Sequence, residues 1–180
     1  MSLRLLVFGG LAAAAAGAGL LAGPARFAAL FVVGLLAWTI LEYLMHRLVF
    51  HGFAPHSLHH ADPTNPAYIL APLWLSTSAA SALFGAIWLL TRSWTGGASV
   101  ISGVIAGYLA YEAIHLRIHS AKRGGAVLRA LRKRHFHHHF TSELVCFGVT
   151  SPLWDVVFGS VPGNRCDTAR KGRNCARPAV

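Results

Sequence analysis

Four long stretches of the chain carry little charge, and this feature restricts the fold more than any other. They cover about residues 5–23, 27–50, 67–91 and 93–119. A helix needs about 20 apolar residues to cross the hydrocarbon core of a bilayer, and each stretch reaches that length. We therefore predict an all-α protein, an integral membrane four-helix transmembrane bundle.

The composition agrees with lipid as the main solvent. Apolar residues make up 54% of the chain and charged residues 12%, whereas soluble domains carry about 25% charged residues. A cleaved secretory signal peptide is the competing interpretation of the first stretch, with Arg4 as its basic start and Gly23-Pro24-Ala25 before the cleavage site. The length of the apolar run, and the second span that follows at once, favour a membrane helix.

The basic residues are distributed unevenly. The chain has 16 Lys and Arg against 6 Asp and Glu, and eleven of the basic residues follow residue 120. Nucleic-acid binding is one interpretation of such a charge, but positive charge after the last span is typical of the cytoplasmic side of a membrane. We predict no nucleic-acid partner and place both termini and every histidine on the cytoplasmic side. The high Ala, Gly and Arg content indicates a bacterial inner membrane.

The remaining chain is predicted to contain little further structure. Residues 122–140 have the pattern of a basic amphipathic helix on the membrane surface or of a solvated charge run. Residues 1–162 would form the membrane-embedded domain and residues 163–180 a disordered basic tail. The three cysteines are interpreted as reduced thiols without an assigned role: Cys146, Cys166 and Cys175.

Eleven histidines are the most informative residues, and none lies in the first 45 positions. Ten of them form four clusters, three of which have the i, i+3 or i+4 spacing that places side chains on one face of a helix. Imidazole nitrogen suits iron, zinc, copper and nickel, and with about four to six ligands per ion ten imidazoles indicate two metals. The predicted ligands are His46, His51, His56, His59, His60, His115, His119, His135, His138 and His139.

Three carboxylates lie close to these clusters in the sequence. Glu42 precedes His46 by four positions, Glu112 precedes His115 by three, and Asp62 follows the second cluster. A ligating histidine usually donates its other ring N–H to a carboxylate or carbonyl, so these three acids are candidate acceptors. A carboxylate at headgroup level is the alternative for each of them.

The clusters, taken in order, resemble the four histidine boxes of the fatty acid hydroxylase and sterol desaturase superfamily. The motifs are Glu42-Tyr-Leu-Met-His46 through His51, His56-x-x-His59-His60, His115-x-x-x-His119 and His135-x-x-His138-His139. The stretch from Phe147 to Gly159 also resembles that family after its last box. The resemblance covers about residues 38–162 and is greatest to the fatty acid 2-hydroxylases.

The resemblance implies a cytoplasmic, histidine-rich cap with a dimetal site, where two iron ions activate dioxygen and hydroxylate a lipid. Zinc could replace iron in purified protein. No catalytic residue beyond the metal centre is expected, and the substrate would be the acyl chain of a fatty acid or sphingolipid. Many relatives carry a fused cytochrome b5 domain, for which 180 residues leave no room. A separate electron donor, similar to cytochrome b5 or ferredoxin, is therefore expected.

Three other functions are compatible with the same residues. A sterol or carotenoid hydroxylase or desaturase would share the metal ligands. A metal transporter would place its ligands along a path within the spans, whereas most of these histidines fall beyond span ends. A structural zinc protein is the third alternative. Trp74, Leu75 and Trp154 either line a lipid opening or lie at the membrane interface.

Overall fold

The computed structural model describes residues 2–121 and 123–163, and over these ranges it contains helices and turns but no strand. A π-helix, Met45–Val49, and a 3-10 helix, Phe50–Gly52, directly follow the second α-helix. The all-α prediction is confirmed. The α-helices are Ser2–Leu20 (α1), Pro24–Leu44 (α2), Ala54–Ala61 (α3), Pro66–Ile69 (α4), Leu73–Thr91 (α5), Trp94–Ser120 (α6), Ala126–Phe140 (α7) and Leu153–Val157 (α8).

Among the residues that the structure describes, four helical stretches are long and apolar enough to cross a membrane, as predicted. They are Leu3–Leu20, Pro24–Gly52, Pro66–Thr91 and Trp94–Ser120. The third is interrupted, because α4 ends at Ile69 and α5 begins at Leu73. Pro72 accounts for the break: proline lacks the N–H of a continuing helix and disfavours helical geometry in the residue before it.

The central helix is α6, which packs against α1, α2 and α5. Two glycines allow its backbone to approach α2 closely. A Cβ added to Gly34 would overlap the carbonyl oxygen of Val100, and one added to Gly103 would overlap that of Phe31. Small residues at such crossings let membrane helices gain van der Waals contact where no hydrophobic effect drives their association.

A polar network joins three of the spanning helices near one end of the bundle. Arg4 of α1 donates to the Glu112 carboxylate of α6 at 2.5 Å and to the carbonyl oxygen of Ala71. Tyr108 also donates to Glu112, and its hydroxyl lies 2.9 Å from Ser76 of α5. The charged groups are therefore paired inside the bundle, as a low-dielectric environment requires.

The cap at this end is formed by α3, α7 and the loop that joins α7 to α8. Helix α7 lies within the predicted range 122–140, and its buried face carries Leu131 and three histidines. It therefore turns these three histidines towards the bundle. Of the predicted tail, only Gly163 is among the described residues; Cys166 and Cys175 lie outside them.

Candidate metal centre

All ten histidines of the predicted set meet at one end of the bundle, where they form two groups of five. Within each group, one ring nitrogen from every histidine lies within 4.8 Å of the others. His137, the eleventh histidine, belongs to neither group. The groups are named here after their first members: the His46 group contains His46, His51, His56, His60 and His138, and the His59 group contains His59, His115, His119, His135 and His139.

The two helical His-x-x-His-His motifs each supply both groups. In α3, His56 and His60 are four residues apart and join the His46 group, while His59 joins the other. In α7, His135 and His139 are likewise four apart and join the His59 group, while His138 joins the first. Residues i and i+4 stack on one face of a helix, so the two histidines of each pair belong to the same group. The histidine at i+3 belongs to the other group.

The π-helix explains how His46 and His51 come together. In an α-helix, five residues turn the side chain by about 500°, so the two rings would point about 140° apart. The backbone N–H of Phe50 instead donates to the carbonyl oxygen of Met45, five positions earlier, as in a π-helix. The two imidazoles stack with their centroids 5.5 Å apart. The π-helix thus places two histidines that are five residues apart on one face.

The crowding of ring nitrogens in the His59 group fits a metal ion. Three Nε2 atoms lie close to Nε2 of His135: those of His115 at 3.1 Å, His119 at 2.8 Å and His139 at 3.0 Å. A neutral imidazole nitrogen either donates one hydrogen bond or accepts one, so these contacts cannot all be hydrogen bonds. Nitrogens bound at about 2.1 Å and at right angles around one ion are about 3.0 Å apart. The distances between these nitrogens therefore match those between neighbouring ligands of an octahedral ion.

In the His46 group, two imidazoles are oriented by backbone carbonyls. His46 Nδ1 lies 2.6 Å from the Phe147 oxygen, and His138 Nδ1 lies 2.8 Å from the Val145 oxygen. The Nε2 atoms of both rings are buried without a hydrogen-bond partner. A carbonyl that accepts the Nδ1–H leaves the lone pair on Nε2, the tautomer that a metal requires.

Burial lowers the pKa of five cap histidines, which favours their neutral form. Burial, together with the neighbouring histidines, lowers the pKa of His56 to about 2 and that of His59 to about 3. Burial lowers the pKa of His60 to about 4 and that of His138 to about 3. It also lowers the pKa of His139. A neutral imidazole offers the lone pair that a metal ion needs.

The three predicted carboxylates make contacts other than those expected. Glu112 bonds to Arg4 and Tyr108, and Asp62 accepts from Thr64 at 3.1 Å. Glu42 accepts from the backbone N–H groups of Val149 and Thr150 at 2.7 and 2.8 Å. Glu42 therefore reaches the histidines indirectly, by holding the chain just after the carbonyl that bonds His46.

Sequence reasoning missed two acidic residues of this region. Asp155 is fully buried and accepts from the N–H groups of Phe147 and Gly148 at 2.9 and 3.0 Å, and from Arg134 at 3.0 Å. Glu143 lies 3.9 Å from His51 Nδ1 and 3.7 Å from His60 Nδ1. Glu143 follows the last histidine box by four positions, so its closeness to the site could have been inferred from the sequence. The contacts of Asp155 depend on the fold of the loop and could not.

This fold and site define a class: a helical membrane protein with a cap of imidazoles suited to two metal ions. Residues 31–160 match the family model described as Fatty acid hydroxylase, and the chain belongs to that family. The predicted resemblance to this family is confirmed.

Named relatives agree. The chain is 33% identical over 158 residues to dihydroceramide fatty acyl 2-hydroxylase FAH1 of Arabidopsis thaliana, covering 73% of this chain and 60% of the relative. It is 33% identical over 144 residues to the ceramide very long chain fatty acid hydroxylase scs7 of Schizosaccharomyces pombe, covering 72% and 41%. The chain thus spans about two fifths to three fifths of these relatives.

The fold also matches a solved structure, that of full-length scs7p with only its hydroxylase domain visible. The TM-score is 0.83 at 26% identity, and the match covers 91% of this chain and 67% of the other. The four-helix bundle therefore has the fold of the scs7p hydroxylase domain.

Proposed function

We propose that the protein is a membrane-bound di-iron oxygenase that hydroxylates the acyl chain of a fatty acid or sphingolipid. The observation that supports this most strongly is the pair of five-histidine groups, because each offers the donor number and type that a divalent transition metal accepts. Relatives named for fatty acyl and ceramide hydroxylation support the substrate class. All ten histidines are proposed as ligands.

Two metal ions held there would supply dioxygen activation and C–H cleavage, which side chains alone cannot perform. The residues of the chain supply the setting. The carbonyls of Val145 and Phe147 fix the tautomers of His138 and His46. The apolar helices beneath the cap exclude water and place the site next to the acyl chains of the bilayer.

Isotope labelling tests the reaction. Purified protein in lipid vesicles, supplied with a chemical or protein reductant, is exposed to ¹⁸O₂ and its lipids are analysed by mass spectrometry. We expect one ¹⁸O atom in a hydroxylated acyl chain, and none with His138→Ala. Label in a sterol or carotenoid instead would support the second candidate substrate class of the superfamily. Metal-loaded protein that consumes no oxygen with any lipid would support a structural zinc protein.

Metal transport is a less suitable function for this geometry. A transporter would hold its ligands along a path through the spans. Here His46 and His51 lie in the π-helix and the 3-10 helix that follow α2. His115 and His119 lie in the last turns of α6, and the other histidines belong to the cap. Uptake of ⁵⁵Fe into vesicles that contain the protein would contradict the proposal.

The electron donor is proposed to be a separate, acidic protein similar to cytochrome b5 or ferredoxin. A groove of about 620 Å³ beside α7 supports this, because its side chains are mostly basic. Phe136 lines the groove, and its ring lies 5.6 Å from that of His119. Lys133→Glu should raise the KM for an acidic donor several-fold and leave turnover with a small chemical reductant unchanged. The groove residues are Arg123, Gly124, Arg129, Arg132, Lys133 and Phe136.

A bacterial inner membrane with the site on the cytoplasmic side is the proposed location. Arg4, Arg47 and Arg117 lie towards the histidine end of the bundle, in line with the bias of basic residues to the cytoplasm. Residues 1–162 are proposed as the membrane domain. A cysteine placed at the exposed Ala130 of α7 should react with a membrane-impermeant maleimide only after the cells are opened.

A further inference from the structure

Helix α8 and the turn that follows it, residues 158–160, are attached to the flank of α2, below the level of the metal centre. The indole N–H of Trp154 donates to Thr39 Oγ1 at 3.0 Å, and the Tyr43 hydroxyl lies 2.9 Å from Ser160 Oγ. Thr39 and Tyr43 precede His46 by seven and three residues. At 1.5 Å per residue, α8 therefore lies about 5 to 10 Å deeper along the span than His46.

The face of α2 that α8 covers is continuous with a face exposed to lipid. Val32, Leu36, Thr39 and Tyr43 are spaced by four, three and four residues and form one stripe along the helix. Val32 and Leu36 are exposed, and they lie within a segment apolar enough to span the membrane. Helix α8, with the turn that follows it, packs on the part of this stripe nearest the metal centre, at Thr39 and Tyr43. It occupies there the position that lipid has beside Val32 and Leu36.

The outer face of α8 is apolar. Leu153, Val156 and Val157 are spaced i, i+3 and i+4, and they are 51%, 65% and 58% exposed. On the inner face, Asp155 is fully buried and bonded to Arg134. This anchor fixes the rotation of α8, so the apolar side chains cannot turn towards the protein.

The backbone around α8 also suits insertion. The N–H groups of Val156, Phe158 and Ser160 donate to carbonyls of the same segment, and Cys146 donates to the Ser160 oxygen. Non-helical backbone at membrane depth is tolerated only where its polar groups are satisfied within the protein. Aromatic residues such as Trp154 and Phe158 are also typical of the membrane interface.

We propose that α8 is a re-entrant element inserted into the bilayer beside α2, with Leu153, Val156 and Val157 in contact with acyl chains. The loop that orients His46 and His138 would thus begin in the cap and end in lipid. This inference requires only that α2 spans the membrane and does not depend on the reaction proposed above.

Spin labelling tests the insertion. In a background with Cys166→Ser and Cys175→Ser, labels are attached to Val156→Cys, to Leu36→Cys as the lipid control and to Ala130→Cys as the water control. The background protein without an added cysteine measures any labelling of the buried Cys146. In lipid vesicles, we expect the label at 156 to be several-fold more accessible to O₂ than to a nickel chelate, as at 36, and the opposite at 130.

Two results would overturn the proposal. A label at 156 that behaves like the one at 130 would place α8 in water, and one inaccessible to both reagents would mean that protein covers it. Because these side chains are exposed, the substitutions remove little packing. A second measurement needs no label. The fluorescence of Trp154 is the difference between the wild type and Trp154→Phe, and lipids brominated in the acyl chain should quench it. If these lipids remove the same absolute amount of fluorescence from the wild type and the variant, Trp154 is not quenched and insertion is contradicted.

Discussion

The Nδ1 atom of His46 lies 2.6 Å from the carbonyl oxygen of Phe147, which is 101 positions later in the chain. Val145 makes the corresponding bond to His138, and Glu143 lies near His51 and His60. Four of the five members of the His46 group therefore contact residues 143–147. The occupancy of that group should depend on this segment.

Asp155 holds that segment in place, so its removal should affect one metal site selectively. Asp155→Asn weakens the bonds to the N–H groups of Phe147 and Gly148 while keeping the side-chain volume. We expect metal affinity at the His46 group to fall about 10- to 100-fold, the usual effect of changing a residue that supports a ligand. Metal titration followed by spectroscopy measures both sites.

Asp62→Asn is the matched control for this experiment. Asp62 is an exposed acid that follows α3, and its carboxylate accepts from Thr64. Asp62→Asn should leave the metal affinities of both histidine groups unchanged. Equal weakening of the two sites by Asp155→Asn would contradict a selective role for the segment.

The π-helix should be essential for the position of His51. Deletion of Leu48 would leave His46 and the second histidine four residues apart in an α-helix and would shift every following residue of the cap. We expect the protein to lose the metal of the His46 group. Leu48→Ala provides the control, because Leu48 is 69% exposed and its truncation leaves the register intact. Because residues four apart share a face of an α-helix, the expected loss comes from the shift of the cap, and a deletion variant that keeps both metals would mean that an α-helical i, i+4 pair can replace the π-helix.

The contact between α2 and α6 should tolerate no side chain at Gly103. A valine there would meet the Phe31 carbonyl and force the helices apart, whereas a Cβ at Gly85 of α5 meets nothing within 4 Å. Overpacking costs about 1–3 kcal/mol or more. Thermal unfolding in detergent should show a lower midpoint for Gly103→Val than for Gly85→Val, and similar midpoints would argue against the close crossing.

The parts of this architecture that could be predicted are those encoded locally. Apolar length predicts the spans. The spacing within α3 and α7 predicts that their histidines lie on one side of the helix, but it does not predict that the i+3 histidine joins the other group. The pairing of His46 with His51 could not be predicted from an α-helical repeat, because it depends on a π-helix. The partners of Glu42 and Asp155 are backbone groups of an irregular loop, and no periodicity encodes them.

Acidification should destabilise the metal-free protein. The pKa values of His56, His59, His60 and His138, at about 2 to 4, lie below the ordinary value of 6.5. Between these values the unfolded chain binds more protons than the folded one, so stability is retained above about pH 6.5 and lost as the pH falls towards 4.

The unfolding midpoint of metal-stripped protein, measured from pH 7.5 to pH 4.5, tests this. Added metal should move the loss of stability to lower pH, because the ion competes with protons for the same lone pairs. A midpoint that rises on acidification would show that these histidines are not buried as neutral groups.

The fourth histidine box allows the two groups to be separated within one helix. Each residue of α7 turns the side chain by about 100°, so His137 points about 160° away from His135. His138 belongs to the His46 group and His135 to the His59 group. We therefore expect about two metals per chain in wild type and His137→Ala, about one in His138→Ala and in His135→Ala, and none in the double variant of His135 and His138. Elemental analysis at matched expression measures this series. The two single variants should retain different metals, so adding Asp155→Asn should weaken binding of the remaining ion about 10- to 100-fold in His135→Ala and leave it unchanged in His138→Ala. Loss of metal in His137→Ala would make that residue a ligand, and loss of both metals in either single variant would mean that the ten histidines form one indivisible site.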